Sequence, residues 1–177
     1  MNKKQHLLFE ENVIFNLCFE SNHDIDLILC YESITGDLGC ISHPYFGIEH
    51  KGKLNEYPFI EYQEDLLDPD EAQVAQIKAT SLLHVKTATI CLLNYGRLRY
   101  RELFDFSTVG GKLKIISDSS FCNEIEYPII DSMEGEIYVC CKLFLENNQL
   151  YIQQEHNVFN LEEAVNNIPG FETLLTR

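Results

Sequence analysis

The chain has 177 residues, of which 45% are hydrophobic and 11% aromatic. This composition is typical of a globular protein, and the length predicts one domain over residues 1–177 that buries its own hydrophobic core. The 28 acidic and 13 basic side chains give a formal net charge of -15. Because contacts with nucleic acid or an anionic membrane need Lys and Arg side chains, this charge argues against both as partners.

The chain begins with a basic stretch that includes Lys3 and Lys4, but the apolar run behind it ends at Glu10. A run this short predicts neither a signal peptide nor a membrane span. Seven cysteines are scattered without a Cys-x-x-Cys pair, which predicts reduced core thiols in a cytoplasmic protein. These cysteines are Cys18, Cys30, Cys40, Cys91, Cys122, Cys140 and Cys141.

Most of the chain has the sequence pattern of short strands. Apolar runs rich in β-branched residues are bounded by turn residues, such as Gly36-Asp37 and the tetrad at 146–149, both of which predict hairpins. The run at 85–95 has no charge after Lys86 and predicts a central strand. The predicted strands cover residues 12–19, 25–34, 39–43, 74–80, 85–95, 112–117, 124–127, 136–145 and 150–154.

Helical periodicity appears near the C-terminus. Asn160 has the position of an N-cap, acidic residues fill the first turn, and Pro169-Gly170 ends the pattern. The shared apolar face is formed by Leu161, Ala164, Val165 and Ile168. Many short strands followed by one helix predict an all-β fold, a β-sandwich of mostly antiparallel strands with a short C-terminal helix.

Two acidic segments carry the candidate chemistry. Asp24-Ile25-Asp26 is the first, and the second places six carboxylates within residues 61–71, with no Lys or Arg among them. Carboxylates that close repel one another unless they are solvated or gathered by a cation such as calcium. A strand would place Asp24 and Asp26 on one face, which suits paired ligands, while Ile25 points into the core. A solvated acidic loop is the alternative, because no EF-hand spacing is present.

Other chemistry has weaker support. The histidines lack the spacings of zinc sites, and the chain has no nucleophile elbow, P-loop or dinucleotide-binding glycine motif. Asp24 and Asp26 would serve as the acid/base pair of a hydrolase if one of them were desolvated. The basic cluster at 97–101 predicts an ion pair with the acidic segment, or a surface for an acidic protein partner.

The order of these motifs resembles that of the TerD superfamily of tellurium-resistance and stress proteins, especially its TerA-like and TerF-like members. In that family an Asp-Leu-Asp-Leu strand precedes a Tyr and a Gly-rich turn, as Asp24-Ile25-Asp26-Leu27 precedes Tyr31 and Gly36-Asp37 here. A Phe-Gly pair follows, and then a Pro-Tyr/Phe-Ile segment that leads into an acidic stretch. The later matches are Phe46-Gly47, Pro58-Phe59-Ile60, the strand Val85–Tyr95, the Cys-rich hairpin Cys140–Asn148 and Phe159–Ala164, so that the resemblance covers about Val13 to Phe171.

The resemblance implies a calcium-binding β-sandwich in a bacterial cytoplasmic protein linked to tellurite and other stress resistance, with no enzymatic activity. Asp24 and Asp26 match the family's paired aspartates, and Asp65 matches the first Asp of its acidic stretch. Leu66 and Leu67 stand where the family has Asp and Arg. The predicted calcium ligands are Asp24, Asp26, Asp65, Asp68, Asp70 and Glu71.

Leu66 and Leu67 leave two interpretations of the predicted calcium site open. They replace charged residues of the family's acidic stretch, and calcium affinity depends on the number of charged ligands. In the first, calcium organises the acidic loops and the protein acts through contacts with a protein partner. In the second, the calcium site is degenerate and the same fold is a metal-free protein-interaction module, to which exposed leucines would contribute. The hydrolase with an Asp pair is the third hypothesis.

Overall fold

A computed structural model describes residues 4–7, 15–21, 23–63, 73–109, 111–117, 124–129, 134–147 and 149–176. Strands dominate these residues, and every pairing between them is antiparallel, which confirms the predicted all-β fold. None of the helices in these ranges is long and apolar enough to cross a membrane.

The described elements, in chain order, have the following bounds. The strands are β1 (Lys4–Leu7), β2 (Phe15–Ser21), β3 (Asp26–Ser33), β4 (Leu38–Ile41), β5 (Gly52–Lys53), β6 (Ile60–Gln63), β7 (Gln73–Ala79), β8 (Val85–Leu93), β9 (Phe104–Asp105), β10 (Lys112–Ser117), β11 (Glu124–Pro128), β12 (Glu134–Gly135), β13 (Ile137–Glu146) and β14 (Gln149–Phe159). The α-helices are α1 (Tyr95–Arg99) and α2 (Leu161–Asn167). Short 3-10 helices cover Pro44–Phe46, Ile48–Lys51, Phe106–Thr108 and Phe171–Leu174.

The strands form two large sheets and a small ribbon. The front sheet has the order β1-β14-β13-β8-β3-β4, and the back sheet has the order β11-β10-β2-β7-β6-β5. Strands β9 and β12 pair separately. The hairpins predicted at Gly36-Asp37 and at 146–149 are confirmed as the β3/β4 and β13/β14 connections.

The two sheets pack face to face around one apolar core, as a β-sandwich does. Alternate residues of several strands point into it, for example Leu27 and Leu29 of β3 against Ile77 of β7 and Leu113 of β10. All four side chains are at most 1% exposed. Ile25 joins this core, as the sequence predicts.

The outer face of the front sheet is also buried. Residues that point away from the sandwich, such as Ile28 and Cys91, pack under Ala164 of α2 and Phe171 of the last 3-10 helix. Because both faces of β3 and β8 are covered, these strands are continuous apolar runs and not alternating ones. The predicted helix and its apolar face are confirmed, and Asn160 and Glu163 form a capping box at its start.

The structure differs from the predicted elements in several places, and strands β5, β6, β9 and β12 are among the elements that the sequence does not predict. Strand β8 ends at Leu93, because Asn94 caps α1 where the sequence predicts a strand up to residue 95. Strand β1, which pairs with β14, is not predicted. The register of β13 shifts between Val139 and Cys141, and both Cys140 and Cys141 contribute to the core between the sheets. All five cysteines whose side chains are described are free and buried, as predicted.

Candidate functional site

The strand register brings Asp24, Asp26 and the residues that flank the second acidic segment to one end of the sandwich. Ser21, the last residue of β2, pairs with Gln73, the first residue of β7, and Gln63 at the end of β6 pairs with Gln76. Asp24 and Asp26 follow Ser21, and Gln63 and Gln73 flank the acidic segment. We call this end of the sandwich the acidic end. The predicted ligands of the second segment lie outside the described residues; they are Asp65, Asp68, Asp70 and Glu71.

Asp26 is the first residue of β3, and groups from elsewhere in the chain hold its carboxylate. The side chain of Asp26 is only 7% exposed. The Tyr45 hydroxyl donates a hydrogen bond to Oδ1, and the backbone N–H of Tyr95 donates to Oδ2 at 3.2 Å. Tyr95 opens α1, so this N–H is one of the amides without a partner inside the helix. Asp26 therefore joins β3, the 44–46 helix and α1 at one point.

Asp24 differs from Asp26 in exposure and in backbone position. It lies before β3, which begins at Asp26, and its side chain is exposed. The prediction that one strand carries both carboxylates is therefore wrong for Asp24. Its carbonyl oxygen accepts a hydrogen bond of 2.8 Å from the Asn94 side-chain amide, while Asn94 Oδ1 accepts one of 2.9 Å from the N–H of Arg97. Asn94 thus caps α1 and ties it to the segment that carries Asp24.

Aromatic rings connect Asp26 to the start of the acidic segment. The Tyr45 ring lies 4.3 Å from that of His43, and the His43 ring lies 5.4 Å from that of Tyr62, centroid to centroid. The Tyr45 ring also packs against the Tyr95 ring at a tilt of 45°, with 5.0 Å between the ring centroids. Since Tyr62 is the residue before Gln63, the cluster bridges the front sheet and the back sheet at the acidic end.

The electrostatics of Tyr45 reflect this position. Partial burial raises the pKa of the Tyr45 hydroxyl, and the negative charge of Asp26 and the hydrogen bond to it raise that pKa further. The charge of Asp24 acts in the same direction. Tyr45 therefore remains a neutral hydrogen-bond donor over the physiological pH range, and it fixes the orientation of the Asp26 carboxylate.

The described residues supply two of the six predicted calcium ligands. Within the described ranges, no group of three or more His, Cys, Asp or Glu side chains has an arrangement that could hold a metal ion. Since calcium takes six to eight oxygen ligands, Asp24 and Asp26 alone do not form a calcium site. A complete site would need carboxylates from the second acidic segment.

Two arginines of the basic cluster at 97–101 form ion pairs with glutamate side chains. Arg97 contacts Glu102 at 2.7 Å, and Arg101 contacts the buried carboxylate of Glu136 at 2.6 Å. Glu136 also accepts a hydrogen bond of 2.7 Å from the N–H of Leu161, the first residue of α2. Arg101 and Glu136 therefore link the residues after α1 to the start of α2, and neither Glu102 nor Glu136 belongs to the acidic segment.

Sequence reasoning missed the residues that position Asp26. Asn94 follows an apolar strand directly, which is the sequence pattern of a helix N-cap and could have revealed α1. Tyr45 lies 19 positions from Asp26, and Tyr95 lies 69 positions from it. No spacing rule connects residues that far apart.

No model of a known protein family matches the chain, and comparison with curated proteins finds no match either. Evidence for a function therefore comes from the chain itself, from Asp24, Asp26 and the aromatic residues around them.

Proposed function

We propose that the chain is a non-enzymatic calcium-binding module of the kind that the TerD resemblance implies, with a role in the response to tellurite and other stress. In this proposal calcium organises the two acidic segments and shapes a surface for a protein partner. The proposal rests mainly on the register that pairs Ser21 with Gln73 and Gln63 with Gln76. The proposed ligands are Asp24, Asp26, Asp65, Asp68, Asp70 and Glu71.

Charge at the acidic end supports a cation. Five carboxylates lie between Gln63 and Gln73 in the sequence, and the exposed Asp24 belongs to the same end of the sandwich. Like charges at short range raise the free energy of the folded state unless a counter-ion offsets them. A divalent ion with six to eight oxygen ligands offsets more of this repulsion than solvent does.

Asp26 has the features of a preoriented ligand. The hydrogen bonds from Tyr45 and Tyr95 fix the carboxylate before any ion binds, and carboxylates that bind metals are usually held by such partners. The Tyr45 ring contacts the His43 ring, and the His43 ring contacts the Tyr62 ring. The aromatic cluster that orients Asp26 therefore also contacts the start of the second acidic segment.

The test is calorimetric titration of calcium into chelator-treated protein and into the Asp24→Asn and Asp65→Asn variants. We expect micromolar or tighter binding by the unmodified chain and a loss of affinity of about tenfold or more in each variant, because each loses a charged ligand. Asp37→Asn is the matched control. Asp37 is exposed in the turn after β3, at the opposite end of the sandwich, so the substitution removes one charge but no proposed ligand.

Two outcomes would contradict the calcium proposal. One is the absence of binding heat at millimolar calcium from protein whose circular dichroism shows a folded β-protein. The other is an equal loss of affinity in Asp37→Asn, which would attribute binding to net charge.

The second candidate is a metal-free protein-interaction module of the same fold. It is favoured by the burial of Asp26, whose carboxylate is bound by protein donors and can anchor α1 without an ion. This candidate predicts that Asp26→Asn lowers the melting temperature equally in calcium and in chelator. The calcium candidate predicts that Asp26→Asn removes a calcium-dependent rise in melting temperature.

A further inference from the structure

Two thiols face each other at the edge of the front sheet. Cys30 of β3 and Cys40 of β4 are direct partners in the strand register, and their Sγ atoms are 3.1 Å apart. Among the five cysteines whose side chains are described, this is the pair with a sulfur–sulfur contact. The pair is independent of the acidic end and of the function proposed for it.

The backbone at this pair already meets the requirements of a disulfide. A disulfide needs a Cα–Cα distance of about 4.4–6.8 Å and a sulfur–sulfur distance of about 2.05 Å. Direct partners on antiparallel strands have Cα atoms about 4.5–5.5 Å apart. The sulfur atoms therefore need to approach by about 1 Å, which side-chain rotation supplies without movement of either strand.

We propose that Cys30 and Cys40 are a reversible disulfide site that hydrogen peroxide closes and small thiols reopen. The sulfur of Cys40 first attacks one peroxide oxygen, the O–O bond breaks, and a sulfenic acid and water are formed. The sulfur of Cys30 then attacks the sulfenic sulfur, the S–O bond breaks, and the hydroxide leaves as a second water. Two thiols and one peroxide thus give one disulfide and two waters, with two electrons passing from the sulfurs to the peroxide oxygens.

Burial makes this oxidation depend on opening of the strand. Cys30 is fully buried and Cys40 nearly so, and burial raises the pKa of the Cys30 thiol, so thiolate is scarce in the closed structure. Strand β4 has four residues and lies at the edge of the front sheet, where it pairs with β3. Cys40 also packs under the last 3-10 helix, so the opening that exposes it displaces this helix together with β4, at a lower cost than global unfolding.

The bond would stabilise more than the hairpin. It closes the loop from Cys30 to Cys40 and fixes the backbone of β4. Gly170 packs against this backbone, close to the carbonyl oxygen of Gly39. Restriction of a loop of this length in the unfolded chain predicts a rise in melting temperature of about 5 to 10 °C for a protein of this size.

The test maps the bond in the full chain. Reduced protein is freed of reductant, exposed to hydrogen peroxide over a time course, denatured with N-ethylmaleimide to block the remaining thiols, and cut after glutamate. Cleavage after Glu20, Glu32 and Glu49 places Cys30 in peptide 21–32 and Cys40 in peptide 33–49, with one cysteine in each. We expect the two peptides to appear cross-linked, at about 2 Da below the sum of their masses, and to separate with dithiothreitol.

Two variants and one readout from the unmodified chain decide the outcome. Cys91→Ala changes a buried cysteine of the same apolar cluster and is expected to keep the cross-link, whereas Cys40→Ala is expected to abolish it. The proposal is overturned if Cys30 and Cys40 both carry the maleimide after peroxide has oxidised other cysteines, or if either is linked mainly to another cysteine. Because the peptide pair is read from the unmodified chain, a variant that fails to fold does not prevent the decision.

Discussion

Replacement of Gly170 by alanine tests whether the C-terminal segment is seated on the front sheet by a close approach between backbones. Gly170 precedes the last 3-10 helix and has a φ of 86°, in the left-handed region. A Cβ atom at this position would lie 2.4 Å from the carbonyl oxygen of Gly39 and 2.9 Å from that of Tyr31. Both oxygens belong to paired strands, so neither can move aside without loss of the β3/β4 pairing.

Gly36→Ala is the matched control. Gly36 has nearly the same φ, 89°, but a Cβ atom there meets nothing within 4 Å. The left-handed backbone costs an alanine about 1–2 kcal/mol at either position. At Gly170 the overpacking against two carbonyls adds about 1–3 kcal/mol, for a total of about 2–5 kcal/mol.

Urea unfolding followed by circular dichroism measures the difference. With a slope of about 2–3 kcal/mol/M, the midpoint is expected to fall by about 1–2 M in Gly170→Ala and by less than about 1 M in Gly36→Ala, with unchanged slopes. Equal midpoints for the two variants would show that the close backbone approach at Gly170 adds nothing to the cost of its φ, and would contradict this prediction.

Two further predictions concern His84 and Phe171. The ring of His84 lies against those of Tyr57 and Phe59, its nitrogens have no hydrogen-bond partner among the described residues, and burial lowers its pKa below 6.5. His84 therefore binds a proton more tightly in the unfolded chain than in the folded chain. Neutral His84 makes its full contribution to stability above about pH 6.5, and this contribution is lost as pH falls through the lower pKa of the folded state. Urea titrations should show His84→Phe gaining stability relative to the unmodified chain between about pH 7 and pH 5, and a constant difference would contradict this. Phe171→Ala should lower the free energy of unfolding by about 3–5 kcal/mol, because the fully buried ring holds the C-terminal segment on the front sheet. Glu172 is the exposed neighbour, and Glu172→Ala should change the free energy of unfolding by less than about 0.5 kcal/mol. Similar urea midpoints for these two variants would contradict the burial argument.

Local patterns predicted much of the sandwich. Turn residues at Gly36-Asp37 and at 146–149 sit between apolar runs, and both produce the hairpins they indicate. Asn160 begins α2 as an N-cap, and Ala164 and Ile168 face the sheet as their spacing predicts. These features depend on residues within a few positions of one another, so they can be read without knowledge of the fold.

Other elements depend on distant partners. Strand β1 is defined by its pairing with β14, about 145 positions later, and nothing in its own four residues distinguishes it from a loop. Helix α1 is short, and its start is supported by Asp26 from another strand, which accepts from the N–H of Tyr95. The shift of register at Cys140 likewise has no marker in an unbroken apolar run.

Local sequence patterns are enough to predict the all-β class, the hairpins and the terminal helix, because side-chain periodicity and turn residues act over short stretches of chain. They also identified Asp24 and Asp26 as candidate ligands. The burial of Asp26, its hydrogen bonds with Tyr45 and Tyr95, and the exposure of Asp24 depend on the packing of distant segments. The order of strands also brought Ser21, Gln63 and Gln73 to one end of the sandwich. Strand order follows from packing between segments far apart in sequence, and no local pattern encodes which of them become neighbours.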